Sequence, residues 1–141
     1  MRLRKGCFFE DGGFWLHYRI PAFGASPDYL LPDGLGLVEI KCPLLENHIE
    51  HFDSPDFDID EDYKAQMMAQ LACTGRQYVD YVSYHPGWPE DLQFFVKRFQ
   101  PDRALVRGLE LEVEFFLSQV ERYTNDLKHR KSKVVVMKAA R

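Results

Sequence analysis

The order in which strand-like and helix-like segments follow one another most constrains the fold of this chain. Aromatic and aliphatic runs flank turns at Gly12-Gly13 and Gly34, where glycine supplies backbone angles that other residues avoid, and this predicts two hairpins. The predicted elements are, in order, strands over 7–9, 14–20, 28–31 and 35–42, a helix over 62–74, strands over 78–84 and 92–99, and a helix from 102 to about 131. This order predicts an α/β (α+β) fold in which helices flank a mixed β-sheet.

Length and composition limit the class of protein. A chain of 141 residues with 45% hydrophobic and 28% charged residues has the size and composition of one globular domain, spanning 1–141. No apolar run approaches the roughly 20 residues of a membrane span, and the first residues lack the apolar core of a signal peptide. The three cysteines, Cys7, Cys42 and Cys73, are too few and too widely spaced for a disulfide framework. We therefore expect a cytoplasmic protein that makes no membrane contact.

Charge is unevenly distributed along the chain. The segment 46–62 holds eight of the 22 acidic residues and no lysine or arginine, which predicts an acidic, solvated loop. The rest of the chain carries 14 acidic residues against 18 basic ones, and the segment 122–141 contains seven bases and one acid. This basic C-terminal tail has two interpretations: a helix end whose charges suit the helix dipole, or an arm that contacts phosphates.

One short motif carries chemistry. Glu39 and Lys41 are two residues apart on a predicted strand, so their side chains lie on the same face. The triplet is common by chance, but the predicted hairpin also brings Asp28 close to Glu39. Two carboxylates and a strand carbonyl make a hard oxygen site for Mg²⁺ or Mn²⁺, and an adjacent lysine can orient water and stabilise charge developing on phosphorus. These groups are what metal-dependent phosphodiester hydrolysis requires.

The predicted helix over 62–74 has one narrow polar face, formed by Tyr63, Gln66 and Gln70. With the strand motif and this helix, the sequence resembles the PD-(D/E)xK nucleases. Within them it resembles the YqaJ-like viral recombinases, the group that includes lambda exonuclease. The resemblance runs from about residue 24 to residue 99. It is carried by these stretches: Ala25-Ser26-Pro27-Asp28, Gly36-Leu37-Val38-Glu39-Ile40-Lys41-Cys42-Pro43, Tyr63-Lys64-Ala65-Gln66 with Gln70-Leu71 and Thr74-Gly75, and Tyr81-Val82-Ser83-Tyr84-His85-Pro86.

The resemblance implies a restriction-endonuclease-like mixed sheet and a set of site residues. Asp28 and Glu39 become metal ligands together with the backbone carbonyl of Ile40, Lys41 becomes the catalytic lysine, and Gln66 is directed at the active site. The implied activity is that of a phage recombination exonuclease, a Mg²⁺- or Mn²⁺-dependent hydrolase acting on linear double-stranded DNA. The implied partners are a single-strand annealing recombinase and further copies of the chain in a ring-shaped trimer, inside a bacterial host.

Several alternatives stay open from the sequence. The same fold serves endonucleases and junction resolvases, and it can serve as a non-catalytic module that binds DNA or protein. Relatives carry a further helical region upstream, and only 27 residues precede Asp28 here, which leaves three interpretations: a fragment, a minimal relative, or a domain that borrows the missing part. A dimer that exchanges a terminal segment is an alternative to the trimer. His48 and His51 are a weaker candidate for zinc, and residues 134–136 are interpreted as a last strand or a crossing segment.

Overall fold

The computed structural model describes the backbone of residues 9–54 and 56–139 and the side chains of residues 9–54 and 56–131. The strands are β1 Glu10–Asp11, β2 Trp15–Leu16, β3 Gly24–Ala25, β4 Tyr29–Leu30, β5 Gly36–Lys41, β6 Tyr78–Tyr84 and β7 Phe94–Phe99. The helices are α1 Leu45–Asp53, α2 Glu61–Thr74 and α3 Arg103–Ala139, with one 3-10 turn at Glu90–Leu92. Cys7 and Phe8, the start of the first predicted strand, lie outside the described residues.

Five strands form one mixed sheet in the order β1-β4-β5-β6-β7. The central pair, β5 and β6, is parallel over six residues, and the other neighbours are antiparallel. A parallel pair needs a crossover connection, and α1 and α2 supply it. The predicted mixed sheet flanked by helices is therefore confirmed.

The predicted second hairpin is confirmed, whereas the first is wrong. Tyr29 lies opposite Val38 across the turn at Gly34, which has a φ of 73° as a glycine turn requires. Glu10–Asp11, however, pairs with β4, and Trp15–Leu16 pairs with β3 in a separate two-stranded sheet. The reason is the open edge of β4, because the Gly12 N–H donates to the Asp28 carbonyl (3.0 Å) and extends the β1–β4 ladder.

The segment predicted as an acidic loop over 46–62 contains a helix instead. Leu45–Asp53 is α1, and Glu61 begins α2, so the loop is confined to the residues between these helices. The carboxylates of α1 point outward, while His48 and His51 are buried on its inner face. The sequence prediction was based on the charge of the segment. It overlooked that His48 and His51 are three residues apart, which is the spacing of one helix face.

Helix α2 has the predicted extent and packs on the sheet. The Asp60 side chain accepts a hydrogen bond from the Asp62 N–H at the N-terminus, and Gly75 ends the helix with a φ of 71°. Its C-terminal half is buried against the sheet, where the core forms from apolar side chains of α2, β4, β5, β6 and the loop before α2. The core cluster consists of Leu30, Leu37, Ile59, Met67, Leu71, Val79 and Tyr81.

Helix α3 is 37 residues long and packs against α2 through its first turns. The predicted basic tail over 122–141 continues this helix as far as Ala139. Residues 134–136 are helical, so the interpretation of this segment as a last strand is wrong. Within the part of the chain that the structure describes, no helix combines the length and apolar character needed to cross a membrane.

Candidate active site

Strand β5 carries side chains from the core to the edge of the domain on the face that α2 covers. Leu37 is fully buried, the next side chain on that face, Glu39, is 3% exposed, and the Lys41 side chain is 20% exposed. This gradient follows from strand alternation, because every second residue points to the same face while the strand runs outward. A carboxylate is thereby held at the boundary between core and solvent.

The Glu39 carboxylate accepts three hydrogen bonds. Oε1 accepts from Lys41 Nζ at 2.5 Å and from Gln66 Nε2 at 2.7 Å, and Oε2 accepts from Gln70 Nε2 at 2.6 Å. Gln66 and Gln70 are one helical turn apart on α2, so both amides reach the same carboxylate. Burying an ionised carboxylate costs free energy unless it is paired and hydrogen-bonded, and these three donors meet that condition.

Gln70 is fully buried, and its amide is only partly satisfied. Its Nε2 donates to Glu39 and more weakly to the Ser26 carbonyl at 3.3 Å. Its Oε1 is the single buried side-chain polar atom without a hydrogen-bond partner among the described residues. An acceptor oxygen is therefore available next to the carboxylate, and a buried acceptor of this kind calls for a water or an ion.

Lys41 is fixed by three neighbours. Its ammonium donates to Glu39 and to Gln66 Oε1 at 2.9 Å, and it lies 4.7 Å from the centre of the Tyr63 ring. Gln66 therefore bridges the pair, donating to the carboxylate and accepting from the ammonium. An ammonium group has three N–H donors, and the two oxygens use two of them.

Asp28 lies at the neighbouring edge and is exposed. Its Oδ2 accepts from the Ile40 backbone N–H at 2.7 Å. Strand β4 pairs with β5 only as far as Val38. The Asp28 side chain therefore accepts the hydrogen bond from Ile40 that a longer β4 would accept through its backbone. In an extended strand the N–H and C=O of one residue face the same edge, which puts the Ile40 carbonyl on the edge where Asp28 lies.

These oxygens fit a hard divalent cation. Only one carboxylate oxygen of Asp28 accepts the hydrogen bond from Ile40, which leaves the other for a cation. The Glu39 carboxylate has about four lone-pair positions, and its hydrogen bonds occupy three of them. With the Ile40 carbonyl they form the all-oxygen donor set that Mg²⁺ and Mn²⁺ prefer. Among the described residues no cluster of three or more histidine, cysteine or acidic side chains has metal-binding geometry.

Sequence reasoning assigned no role to two residues of this site. Tyr63 and Gln70 are on the predicted polar face of α2 together with Gln66, and that shared face is the signal that identifies them. The structure brings all three to the strand motif. The predicted site residues Glu39, Lys41 and Gln66 thus form one hydrogen-bonded group where α2 covers β5, and Asp28 lies beside it through its bond to the Ile40 N–H.

The histidines of α1 do not join this site. Both ring nitrogens of His48 are used, by Ser83 Oγ (2.7 Å) and the Leu92 carbonyl (2.9 Å). Both nitrogens of His51 are also used, by the Asn47 carbonyl and the Tyr81 hydroxyl. Burial lowers the pKa of His51 from its ordinary value. These contacts leave neither ring free to bind zinc.

Comparison with known proteins identifies a family and similar structures. The family of the YqaJ-like viral recombinase domain matches residues 4–77. The chain is similar to the crystal structure of an alkaline exonuclease (LHK-Exo) from Laribacter hongkongensis, with 41% identity, a TM-score of 0.84, and coverage of 92% of this chain and 66% of that chain. The structure of LHK-Exo in complex with dAMP aligns at 41% identity and a TM-score of 0.83, covering 92% of this chain and 65% of that chain.

These matches confirm the α/β fold, which is that of the alkaline exonuclease. The chain spans just under two thirds of the length of each of these structures. No curated protein matches it.

Proposed function

The chain belongs to the YqaJ-like viral recombinase domain family, and from this we propose that it is a metal-dependent deoxyribonuclease of the phage recombination type. Its substrate is linear double-stranded DNA, which it degrades as an exonuclease by hydrolysing phosphodiester bonds. The observation that carries the proposal is the buried Glu39 carboxylate, held by Lys41, Gln66 and Gln70 beside the exposed Asp28. The similarity to an alkaline exonuclease at 41% identity supports the same activity.

The cofactor of this proposal is Mg²⁺, with Mn²⁺ as a substitute. Asp28, Glu39 and the Ile40 carbonyl would hold it, since they supply oxygens at one edge of the sheet. A divalent cation bound there supplies Lewis-acid polarisation of the scissile phosphate. The hydrogen bond from the Ile40 N–H fixes one oxygen of Asp28, which orients the other.

Lys41 acts on the reacting groups. Its third N–H is available to a phosphate oxygen or to the attacking water, and its positive charge stabilises the negative charge that develops on phosphorus. Gln66 and Glu39 hold the ammonium in place through the 2.9 Å and 2.5 Å hydrogen bonds. Gln70 positions Glu39 from the buried side and does not contact the substrate.

The partners and location follow from the family. We infer double-stranded DNA as the substrate, a single-strand annealing recombinase as a protein partner, and a homo-oligomer, with a trimer as the family arrangement. The setting would be the cytoplasm of a bacterial host that carries a phage or prophage. The basic segment 122–141 would contribute to the electrostatic attraction of DNA.

The test is a degradation assay with matched variants. A 5′-phosphorylated linear duplex and a closed circular duplex are each incubated with Mg²⁺, Mn²⁺ or EDTA. Glu39→Gln and Lys41→Met should each reduce cleavage by at least about a hundredfold, the scale for losing one catalytic electrostatic group. The matched controls are Glu61→Gln and Lys64→Met, which alter a surface ion pair of the same residue types at 2.8 Å and should leave the rate unchanged.

Each outcome has a distinct meaning. Metal-dependent loss of the linear duplex alone, abolished by both site variants, supports the exonuclease. Cleavage of the closed circle indicates an endonuclease or junction resolvase on the same fold. If neither DNA is cut, binding of Mn²⁺ measured by electron paramagnetic resonance decides between two cases. Glu39-dependent binding indicates an incomplete site, and absence of binding refutes the catalytic proposal in favour of a binding module.

A further inference from the structure

A cavity of about 700 Å³ lies at the C-terminal end of α2, away from the candidate active site. Its walls come from the loop between β2 and β3, from the end of α2, and from the first turns of α3. Of the described residues that line it, none is proposed to bind metal or to act in catalysis. Gly75, in its wall, lies nine residues beyond Gln66, about 14 Å along α2 at 1.5 Å per residue. The volume is that of a small-ligand site.

The cavity is strongly basic, although the chain as a whole is acidic. The chain has a net charge of −4. The charged residues described in the lining are four arginines and one glutamate, a formal charge of +3, and we call this site the arginine cavity. Its charged residues are Arg19, Arg76, Arg103, Arg107 and Glu110. Because like charges around one cavity repel one another, an anion bound there stabilises the folded chain.

Glu110 positions two of these arginines without neutralising them both. Its Oε2 accepts from Arg19 at 2.9 Å and from Arg107 at 2.6 Å. His17 Nδ1 accepts two backbone N–H groups, so its Nε2 donates to the other oxygen, Oε1, at 3.2 Å. Glu114 lies 3.9 Å from Arg19 and outside the lining, and counting it leaves a formal charge of +2. Each guanidinium has five N–H donors, so both arginines keep donors for a ligand.

The other two arginines also have N–H groups to offer. Arg76 Nη1 donates to the carbonyls of Leu31 at 2.9 Å and Gly36 at 2.7 Å, which fixes the guanidinium. The structure shows no further hydrogen bond from this side chain to the described residues. Arg103 is exposed, and its side chain forms no hydrogen bond or ion pair with them. Guanidinium donors from three parts of the chain are therefore available in one cavity.

A terminal phosphate group matches these donors better than a carboxylate does. The planar fork of arginine binds either anion through paired hydrogen bonds. A carboxylate has two oxygens, whereas a terminal phosphate has three acceptor oxygens and nearly two negative charges at neutral pH. Three oxygens can each meet a guanidinium that comes from a different direction.

The same cavity offers an aromatic face. Tyr18 belongs to the lining and is 80% exposed, and its ring stacks on His17 with 4.9 Å between the ring centres. An exposed tyrosine ring held in this way can stack with a nucleobase, whichever base it is. A cavity of this volume admits a mononucleotide, whereas the end of a paired duplex is too wide to enter. Phosphate donors and an aromatic face together indicate a nucleotide.

We propose that the arginine cavity binds a nucleoside monophosphate, with the phosphate on the arginines and the base against Tyr18. The site is separate from the metal-binding edge formed by Asp28, Glu39 and Ile40. Hydrolysis by an exonuclease releases nucleoside monophosphates, so the source of this ligand rests on the proposed function. The binding itself does not, because no residue of the catalytic edge takes part.

The first experiment measures binding by isothermal titration calorimetry in a phosphate-free buffer with EDTA, so that no divalent metal occupies the catalytic edge. The probes are dAMP, inorganic phosphate, succinate and deoxyadenosine, and dAMP should bind most tightly. Arg103→Gln with Arg107→Gln should weaken dAMP binding by about a hundredfold, since each lost charge-assisted hydrogen bond accounts for about tenfold. The matched control, Arg122→Gln with Arg130→Gln, removes the same charge from exposed positions farther along α3 and should bind dAMP like wild type.

The second experiment separates the cavity from other places where a phosphate can bind. Lys41→Met removes the cation of the catalytic edge and should retain dAMP binding in EDTA. Tyr18→Ala should weaken dAMP binding while leaving the weaker binding of inorganic phosphate unchanged. Circular dichroism verifies that each variant remains folded. If the double variant does not fold, Arg103→Gln alone replaces it, with an expected loss of about tenfold.

Loss of dAMP binding in the cavity variant, with retention in the α3 control and in Lys41→Met, supports the proposal. Failure of dAMP to bind, or equal binding by wild type and the cavity variant, would overturn it. Succinate binding as tightly as dAMP would overturn the choice of phosphate, and equal affinities for inorganic phosphate and dAMP would overturn the choice of a nucleotide. A chain that cuts no DNA but binds dAMP in this cavity would refute the proposed function and leave the site intact.

Discussion

The hydrogen bond between Gln70 and Glu39 should stabilise the site more than the hydrogen bond between Gln66 and the same carboxylate. Gln70 is fully buried and donates to Glu39 Oε2 at 2.6 Å, whereas Gln66 is exposed and donates to Oε1 of the same carboxylate at 2.7 Å. The two amides are the same residue type, on one helix, with nearly equal distances to one acceptor. They differ in burial and in their second partners, since Gln66 also accepts from Lys41 and Gln70 also donates to the Ser26 carbonyl, so the comparison is restricted to the coupling of each amide with Glu39.

The magnitude follows from the energetics of hydrogen bonds to charged groups. Such a bond contributes about 1.5–3 kcal/mol when it is buried, and less when water can replace the donor. Replacing Gln70 with leucine removes this donor and leaves the buried Glu39 Oε2 without its hydrogen bond. The single variant combines this loss with every other effect of the substitution, so the coupling to Glu39 has to be measured separately.

A double-mutant cycle performs this separation, because effects of the Gln70 substitution that do not involve Glu39 occur in both backgrounds and cancel. We expect Gln70→Leu and Glu39→Leu to show a coupling of about 1.5–3 kcal/mol, and Gln66→Leu and Glu39→Leu a coupling below about 1 kcal/mol. The assay is urea unfolding in EDTA, with the slope of free energy against urea checked for constancy. A coupling for Gln70 that is smaller than that for Gln66 would refute the reasoning.

Three other perturbations test separate contacts. Burial lowers the His51 pKa from 6.5, so as the pH falls the unfolded chain binds a proton before the folded chain does, and stability should decrease below about pH 6.5. On lowering the pH through this range, the melting temperature of His51→Gln should drop less than that of wild type. Equal drops would contradict this. Tyr63→Leu should slow cleavage about two- to fivefold through loss of the ring 4.7 Å from the Lys41 ammonium, while Tyr63→Phe retains the rate; equal rates for the two variants would exclude the contact. Gly12→Ala would place its Cβ 1.7 Å from the Pro27 carbonyl oxygen and should lower the free energy of urea unfolding by about 1–3 kcal/mol; an unchanged midpoint would show that β1 does not pack here.

Local rules predicted the elements that carry the motif. The turn at Gly34 sets the register of β4 against β5, and that register brings Asp28 to the Ile40 N–H. Strand alternation places Glu39 and Lys41 on one face of β5, and helix periodicity places Gln66 and Gln70 on one face of α2. Each of these predictions involves residues a few positions apart, for which turn type and backbone period determine the geometry.

The errors of the sequence analysis share a physical cause. The open edge of β4 attracts Glu10–Asp11, about 19 residues away in sequence, in place of the adjacent segment after Gly12-Gly13. Helix α1 forms within an acidic segment because two buried histidines find partners on β6 and at Leu92. Composition records the charge of a segment but contains no information about distant partners.

The sequence by itself determined the strand motif, the polar face of α2 and the resemblance to a nuclease family, since each depends on residue type and short spacing. Only the tertiary structure decided that Gln70 is buried, that its amide and that of Gln66 meet one carboxylate, and that Lys41 lies against Tyr63. Glu39 and Gln70 are 31 residues apart in sequence. Their contact exists because the parallel β5–β6 pair requires a crossover that lays α2 across the motif, and no local pattern specifies how closely that helix approaches.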